Sequence, residues 1–303
     1  MNKHIFVDKL TARIGSLVAG NKKFFSRSIE SESFETLINS ITVSIPEISG
    51  EGTIELSADS SEGQVAVAFR IEKWMGPDYP TLIYHHGNNE RPFDYRKGAK
   101  NTFLGIFVKE KDAFNTNLIV VRAPYHDCPL KEYQEKMTEL KKFMNMIATS
   151  VKVNEALIQS LPEGQPVMTC GISLGGWVTN LHRSFYNTSD IYIPLVAGSF
   201  LGELFLQSSY TKLTGSNALL YPERIRKMLN FNNAFSKIAT LNVYPLMARF
   251  DQFIEYEVQK KSYNGLAVRT IETGHVTAAV NPTELRAHVL NIMEKTGINS
   301  KNK

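Results

Sequence analysis

An α/β architecture, an eight-stranded and mainly parallel sheet flanked by helices, is predicted by three features of the 303-residue sequence. Short β-rich runs alternate with helical patterns. Two early runs are joined by a turn, and the run at 117–122 (Asn-Leu-Ile-Val-Val-Arg) carries β-branched residues on both faces. The last feature marks a strand buried between helix layers, and the alternation marks crossover units.

Ile5, Phe6, Leu10, Ile14, Leu17 and Val18 recur at helical spacing, so the chain opens on a helix. Asp8, Lys9 and Arg13 interrupt its apolar run, which makes it a poor signal peptide. A helix packed on its own domain is preferred to one lying on a membrane, and residues 1–50 are expected to form a helical extension on the core. Strands are predicted at 53–57 and 64–71 around the turn Ser60-Ser61-Glu62-Gly63, then at 81–86, 117–122, 166–170, 191–196, 242–248 and 265–271. Helices are expected at 96–110, within 131–160 (one or two), at 175–187, 252–262 and 282–296. The last opens on Asn281-Pro282 as cap and first-turn proline. The interval from 200 to 240 is too long for a simple crossover. Its apolar residues, Phe200 and Leu204 among them, predict a helical cap inserted into a core of 51–199 and 241–303.

The composition, 43% hydrophobic and 21% charged, is that of an ordinary globular protein. A net charge of +4 with no basic run interleaved with aromatics argues against nucleic acid as a partner. Two cysteines, Cys128 and Cys170, need no disulfide framework, so a reducing cytoplasmic setting is expected. No stretch reaches the length of a membrane span, and stable membrane insertion is not expected.

In such sheets ligands bind beyond the carboxyl ends of the strands, and that rule filters the motifs. Gly171-Ile172-Ser173-Leu174-Gly175 follows the strand 166–170 and precedes a helical pattern. A serine on a sharp strand-to-helix turn needs small neighbours, which Gly171, Gly175 and Gly176 supply. Its hydroxyl needs a base. His275 follows the strand 265–271 and fits best; His126, also at a strand end, is second. An imidazole needs an acceptor to fix its tautomer, and Asp251, directly after the strand 242–248, fits that role. In His85-His86-Gly87-Asn88-Asn89 the glycine lets backbone approach a developing oxyanion. The amides of Asn88 and Leu174 are the expected donors. His86, Gly87, Tyr125, His126, Phe200 and Leu204 are expected around a small, partly apolar substrate. His85 and His86, adjacent on a strand, should face opposite sides and so not chelate one ion. Neither metal nor cofactor is predicted.

Glycine loop, serine turn, acid and histidine stand in an order that resembles the α/β-hydrolase superfamily over roughly residues 50–296. The resemblance implies an α/β-hydrolase fold with an esterase-like serine hydrolase activity. It places Ser173 after the fifth strand, Asp251 after the seventh, His275 after the eighth and His86-Gly87-Asn88 after the third. The loop reads His-Gly-Asn rather than the His-Gly-Gly-Gly of many lipases, and residues 1–50 have no counterpart in a minimal member.

Overall fold

In the computed structural model, residues 2–298 are described; the expected core residues 299–303 and the terminal Met1 lie outside them. Eight strands form one sheet: β1 Gly52–Ser60, β2 Gly63–Lys73, β3 Thr81–His85, β4 Asn117–Arg122, β5 Val167–Ile172, β6 Ile191–Leu195, β7 Leu246–Ala248 and β8 Arg269–Ile271. Their order is β1-β2-β4-β3-β5-β6-β7-β8. β1 and β2 pair antiparallel, β2 joins β4 antiparallel, and every later pairing is parallel.

The helices are α1 Lys3–Ala19, α2 Phe34–Ser40, α3 Thr102–Ile106, α4 Leu130–Met137, α5 Leu140–Ser160, α6 Leu174–Phe185, α7 Leu201–Leu206, α8 Ser216–Leu220, α9 Pro222–Leu229, α10 Asn232–Ser236, α11 Tyr256–Gln259, α12 His275–Ala279 and α13 Pro282–Thr296. β1 alternates in exposure, whereas β3, β5 and β6 are buried throughout, the difference between a solvated edge and strands covered on both faces. Two apolar cores result. One gathers the faces of α5 and α6, and the other packs α3 and α13 on the opposite side.

Local chemistry accounts for the departures from expectation. The first two strands run up to a two-residue turn, where Gly63 takes a φ of 87°. The helix expected over 96–110 is a loop as far as Lys100; the helix starts only where the Asn101 side chain accepts the Leu104 amide at 2.9 Å. A 3-10 turn, Val108–Ala113, follows it. The helix expected over 252–262 begins at Tyr256, because the carboxylate of Asp251 folds residues 252–254 into a turn first. β7 is shorter than 242–248 predicted: Pro245 has no N–H to offer a ladder, and upstream only Val243 bridges, to Tyr192. β8 keeps three of its seven expected residues, since Gly265 sits in a turn with φ of 79°.

Between β6 and β7 the chain makes α7, a 3-10 turn (Ser209–Leu213), α8, α9 and α10. This stretch is stitched to the first 25 residues. Phe24 donates its amide to the Leu213 carbonyl at 2.8 Å and accepts from Gly215 at 2.7 Å, and Ser16 Oγ donates to the Lys212 carbonyl. Phe24, Phe25, Phe143, Phe205 and Tyr210 interlock as edge-to-face and tilted rings between them. Among the described residues no helix is long and apolar enough to cross a membrane.

Candidate active site

Ser173 stands between β5 and α6 with φ 53° and ψ −111°, a conformation that a non-glycine residue holds only where its surroundings enforce it. They do so by crowding. A Cβ on Gly171 would sit 2.3 Å from the Gly175 carbonyl oxygen, and one on Gly176 would sit 2.6 Å from Ala197 Cβ. The Ser173 amide donates to the Leu195 carbonyl at 2.9 Å and its carbonyl accepts from Trp177 at 3.0 Å. The side chain is thereby left to project beyond the sheet edge.

Ser173 Oγ lies 3.1 Å from His275 Nε2. The other ring nitrogen, Nδ1, lies 2.7 Å from Asp251 Oδ2. Asp251 is buried, and its second oxygen accepts the amides of Phe253 and Ile254, each at 2.7 Å. The carboxylate is thus fixed by its own loop and aims one oxygen at the imidazole. Burial pulls the pKa of His275 down, but the charge and hydrogen bond of Asp251 outweigh it, and the net shift is upward. His126, the second candidate for the base, is buried and turned to backbone: Nδ1 meets the Pro124 carbonyl at 3.0 Å and Nε2 accepts the Asn89 amide at 3.3 Å.

The loop after β3 is braced from behind. His86 donates from Nδ1 to the Gly87 carbonyl at 2.7 Å and accepts the Ala123 amide at Nε2, 3.0 Å. Glu90 accepts the amide and hydroxyl of Thr102 at 2.9 and 2.7 Å, and burial raises its pKa. Asn88 is held on both sides: Tyr133 donates to its Oδ1, and its Nδ2 donates to Tyr210 at 3.3 Å. Among the described residues, neither the Asn88 amide nor that of Leu174, the first residue of α6, has a hydrogen-bond partner. First-turn helix amides have none within the helix.

A cavity of about 950 Å³ opens over these groups. Ser173, Leu174, His275, Gly87, Asn88, Tyr125, His126 and Leu204 line it, with Leu201, Phe205, Tyr210, Trp177 and, from α1, Ile14 and Val18. Two expected lining residues do not. His86 is buried behind the loop, both ring nitrogens spent on backbone. Phe200 precedes α7, pairs with Asn230 and is not among the residues lining the cavity. The rings of His85 and His86 do not face opposite sides but stack, 5.2 Å apart and 19° from parallel; β3 ends at His85, so the alternation stops there. Cys170, beside the serine turn, is fully buried with its thiol pKa raised by burial. Among the described residues no three metal-ligating side chains converge.

Asp8 was not singled out by spacing. It is fully buried on α1, and its carboxylate accepts the amides of Gln252 at 3.0 Å, His275 at 2.8 Å and Val276 at 3.0 Å. The only signal in sequence is an acidic residue within an apolar helical run. Tyr133 and Tyr210 carry no signal at all, because their meeting at Asn88 depends on how the insertion folds back.

No protein-family model and no curated protein matches the sequence. Solved structures match the fold. Acetyl xylan esterase 1 from Thermoanaerobacterium sp. superimposes with a TM-score of 0.53 at 13% identity, over 83% of this chain and 91% of that one. An esterase from Pyrobaculum calidifontis gives 0.53 at 10% identity, over 95% and 98%. The acylaminoacyl peptidase of Pyrococcus horikoshii gives 0.54 at 12% identity, over 82% of this chain but 42% of that larger one. With the strand order and the serine turn, these matches define the class: the chain has the α/β-hydrolase fold.

Proposed function

We propose that the protein is a serine hydrolase that cleaves an ester, or a related acyl bond, of a small and partly apolar substrate. The observation that carries this reading is the relay Ser173–His275–Asp251, with contacts of 3.1 and 2.7 Å, on a serine held in a strained turn under a cavity. In the proposed reaction Ser173 Oγ attacks the acyl carbon while His275 Nε2 takes its proton. The oxyanion is held by the Asn88 and Leu174 amides. As the tetrahedral adduct collapses, the bond to the leaving oxygen breaks and His275 returns the proton to it. Water, deprotonated by the same ring, then cleaves the acyl-enzyme and frees Ser173 and a carboxylic acid.

The cavity supports an apolar acyl or aryl group. Trp177, Leu201, Leu204 and Phe205 line its wall, and Ile14, Val18, Leu130 and Val280 surround the outer part. The last four are exposed despite being apolar, so the approach to the serine favours apolar material. The insertion and α1 together act as the cap over the core. Cys128 and Cys170 are unpaired, which supports a reducing compartment. The test is a fluorophosphonate probe with a panel of p-nitrophenyl esters of increasing acyl length. Wild type is expected to be labelled and to hydrolyse the esters, and Ser173→Ala to do neither. Full labelling of Ser173→Ala defeats the assignment.

A further inference from the structure

Helix α1 has no place in a minimal sheet-and-crossover scheme, yet it touches the chemistry. Asp8 is the single acid on α1, wholly buried, and its two oxygens take three backbone amides from two separate loops. One is the amide of His275 itself. Another belongs to Gln252, next to Asp251. Gly274 is shaped to admit the carboxylate: a Cβ there would lie 2.8 Å from Asp8 Oδ2. One turn earlier, His4 Nδ1 meets Thr277 Oγ1 at 2.8 Å and its ring stacks on Phe250. The helix therefore clasps both the loop bearing the acid and the loop bearing the base.

We infer that Asp8 is a positioning residue that ties the Asp251 loop to the His275 loop and so holds the imidazole between carboxylate and serine. The inference rests on His275 acting as the base. A shift of about 1 Å in such a group costs roughly a hundredfold in rate. Charge adds a second signature. His275 faces the carboxylates of Asp251, Asp8 and Glu90, and Asp8 in turn faces Asp251. Removing the Asp8 charge lowers the imidazole pKa, so the acidic limb of the rate profile moves to lower pH. Asp8→Asn is expected to lower kcat about a hundredfold with little change in KM, to shift that limb downward, and to melt as a folded protein. Gly274→Ala, which crowds the carboxylate without replacing it, is expected to act in the same direction. NMR titration of the His275 ring reads the same coupling without turnover. Folded variants with wild-type kcat, limb and ring titration overturn the inference. If wild type hydrolyses nothing but the ring titration still shifts in Asp8→Asn, the tie stands and the hydrolase assignment falls.

The opposite face of α1 carries a separate observation. Phe6, Leu10, Ile14, Leu17 and Val18 are 42–82% exposed, and at helical spacing they share an arc about a third of the helix wide. Lys3, Lys9 and Arg13 are exposed on the same helix, whose one acid, Asp8, is buried on its other side. Ile14 and Val18 belong to this arc and to the cavity rim. We propose that this face docks on an anionic lipid surface, because the exposed charges of its helix are all cations and its apolar arc is continuous with the cavity entrance. Sedimentation with phosphatidylcholine vesicles, with and without phosphatidylglycerol, tests it. Wild type is expected to bind the anionic vesicles preferentially. Leu10→Glu/Leu17→Glu, which alters no cavity residue, is expected to bind about tenfold less while hydrolysing a soluble ester normally. Absence of vesicle binding by wild type overturns the proposal. So does a concentration-dependent dimer that the double variant dissociates, which makes a second copy the occupant.

Discussion

Gly175 and the carbonyl of His85 are in contact so close that a Cβ on the glycine would lie 2.0 Å from the carbonyl oxygen. This packs the start of α6 directly against the end of β3, and Leu174, which opens α6, and Asn88, which follows β3, line one cavity. Gly175→Ala cannot be accommodated by a rotamer change, because the obstacle is backbone. The substitution is expected to destabilise the fold by about 1–3 kcal/mol, the usual cost of overpacking, and to separate the serine turn from the glycine loop. Denaturant unfolding measures the first effect. Labelling rate with a fluorophosphonate measures the second, and unchanged values for both count against this account of the turn.

The bond between His275 and Asp251 makes a prediction about pH. The proposed base can take a proton only when its ring is neutral, and Asp251 holds its pKa above the ordinary 6.5. Activity is therefore expected to rise with pH through a value above 6.5, and kcat/KM against pH reads that value directly. Asp251→Asn removes both the charge and the tautomer control, with an expected loss in kcat of about 10⁴-fold. The linked effect on stability has the opposite sense to activity. A ring whose folded pKa is raised adds stability below the unfolded pKa, and that contribution is lost as pH rises through the folded one.

How far the site is legible in sequence follows from what each residue depends on. Ser173, Asp251 and His275 each stand just past a strand, so local pattern and the carboxyl-end rule single them out as candidates, and their side chains meet at 3.1 and 2.7 Å. Buried runs such as 117–122 reveal their strands for the same reason. Asp251 also shows the limit: its side chain builds the turn that delays α11, and period-counting reads that turn as helix. His86 and Phe200 were misplaced because a position beside a site does not fix the direction of a side chain. Asp8 lies 244 residues or more before the residues whose amides it accepts, and no spacing rule spans that distance.

The buried histidines make acid stability a test of the scaffold. Burial pushes His85 down to about 3 and His126 to about 4, and His86 falls as well. These rings stay neutral in the folded protein while the unfolded chain binds protons below 6.5. Stability is therefore expected to fall as pH drops from 6.5 towards 4, by up to about 3 kcal/mol for His126 alone. His126→Gln is expected to flatten that slope, although it costs stability at neutral pH through its lost bond to the Asn89 amide. Urea unfolding at a series of pH values reports both. A variant with the wild-type slope removes His126 from the explanation.

Asn88 supplies the last prediction, because its backbone and side chain do different things. Among the described residues the amide has no partner, and Asn88 lines the cavity, whereas its side chain is pinned between Tyr133 and Tyr210, from α4 and the insertion. Tyr133 is buried and Tyr210 half-buried, so their hydroxyls gain from the bonds as the asparagine does. Asn88→Ala keeps the amide but frees the loop that aims it. The expected result is a fall in kcat of about tenfold to a hundredfold, less than or near the loss of one oxyanion donor, with KM nearly unchanged. Tyr133→Phe, which cuts one of the two ties, is expected to fall between Asn88→Ala and wild type. If instead KM rises and kcat holds, the side chain binds substrate rather than aiming the amide.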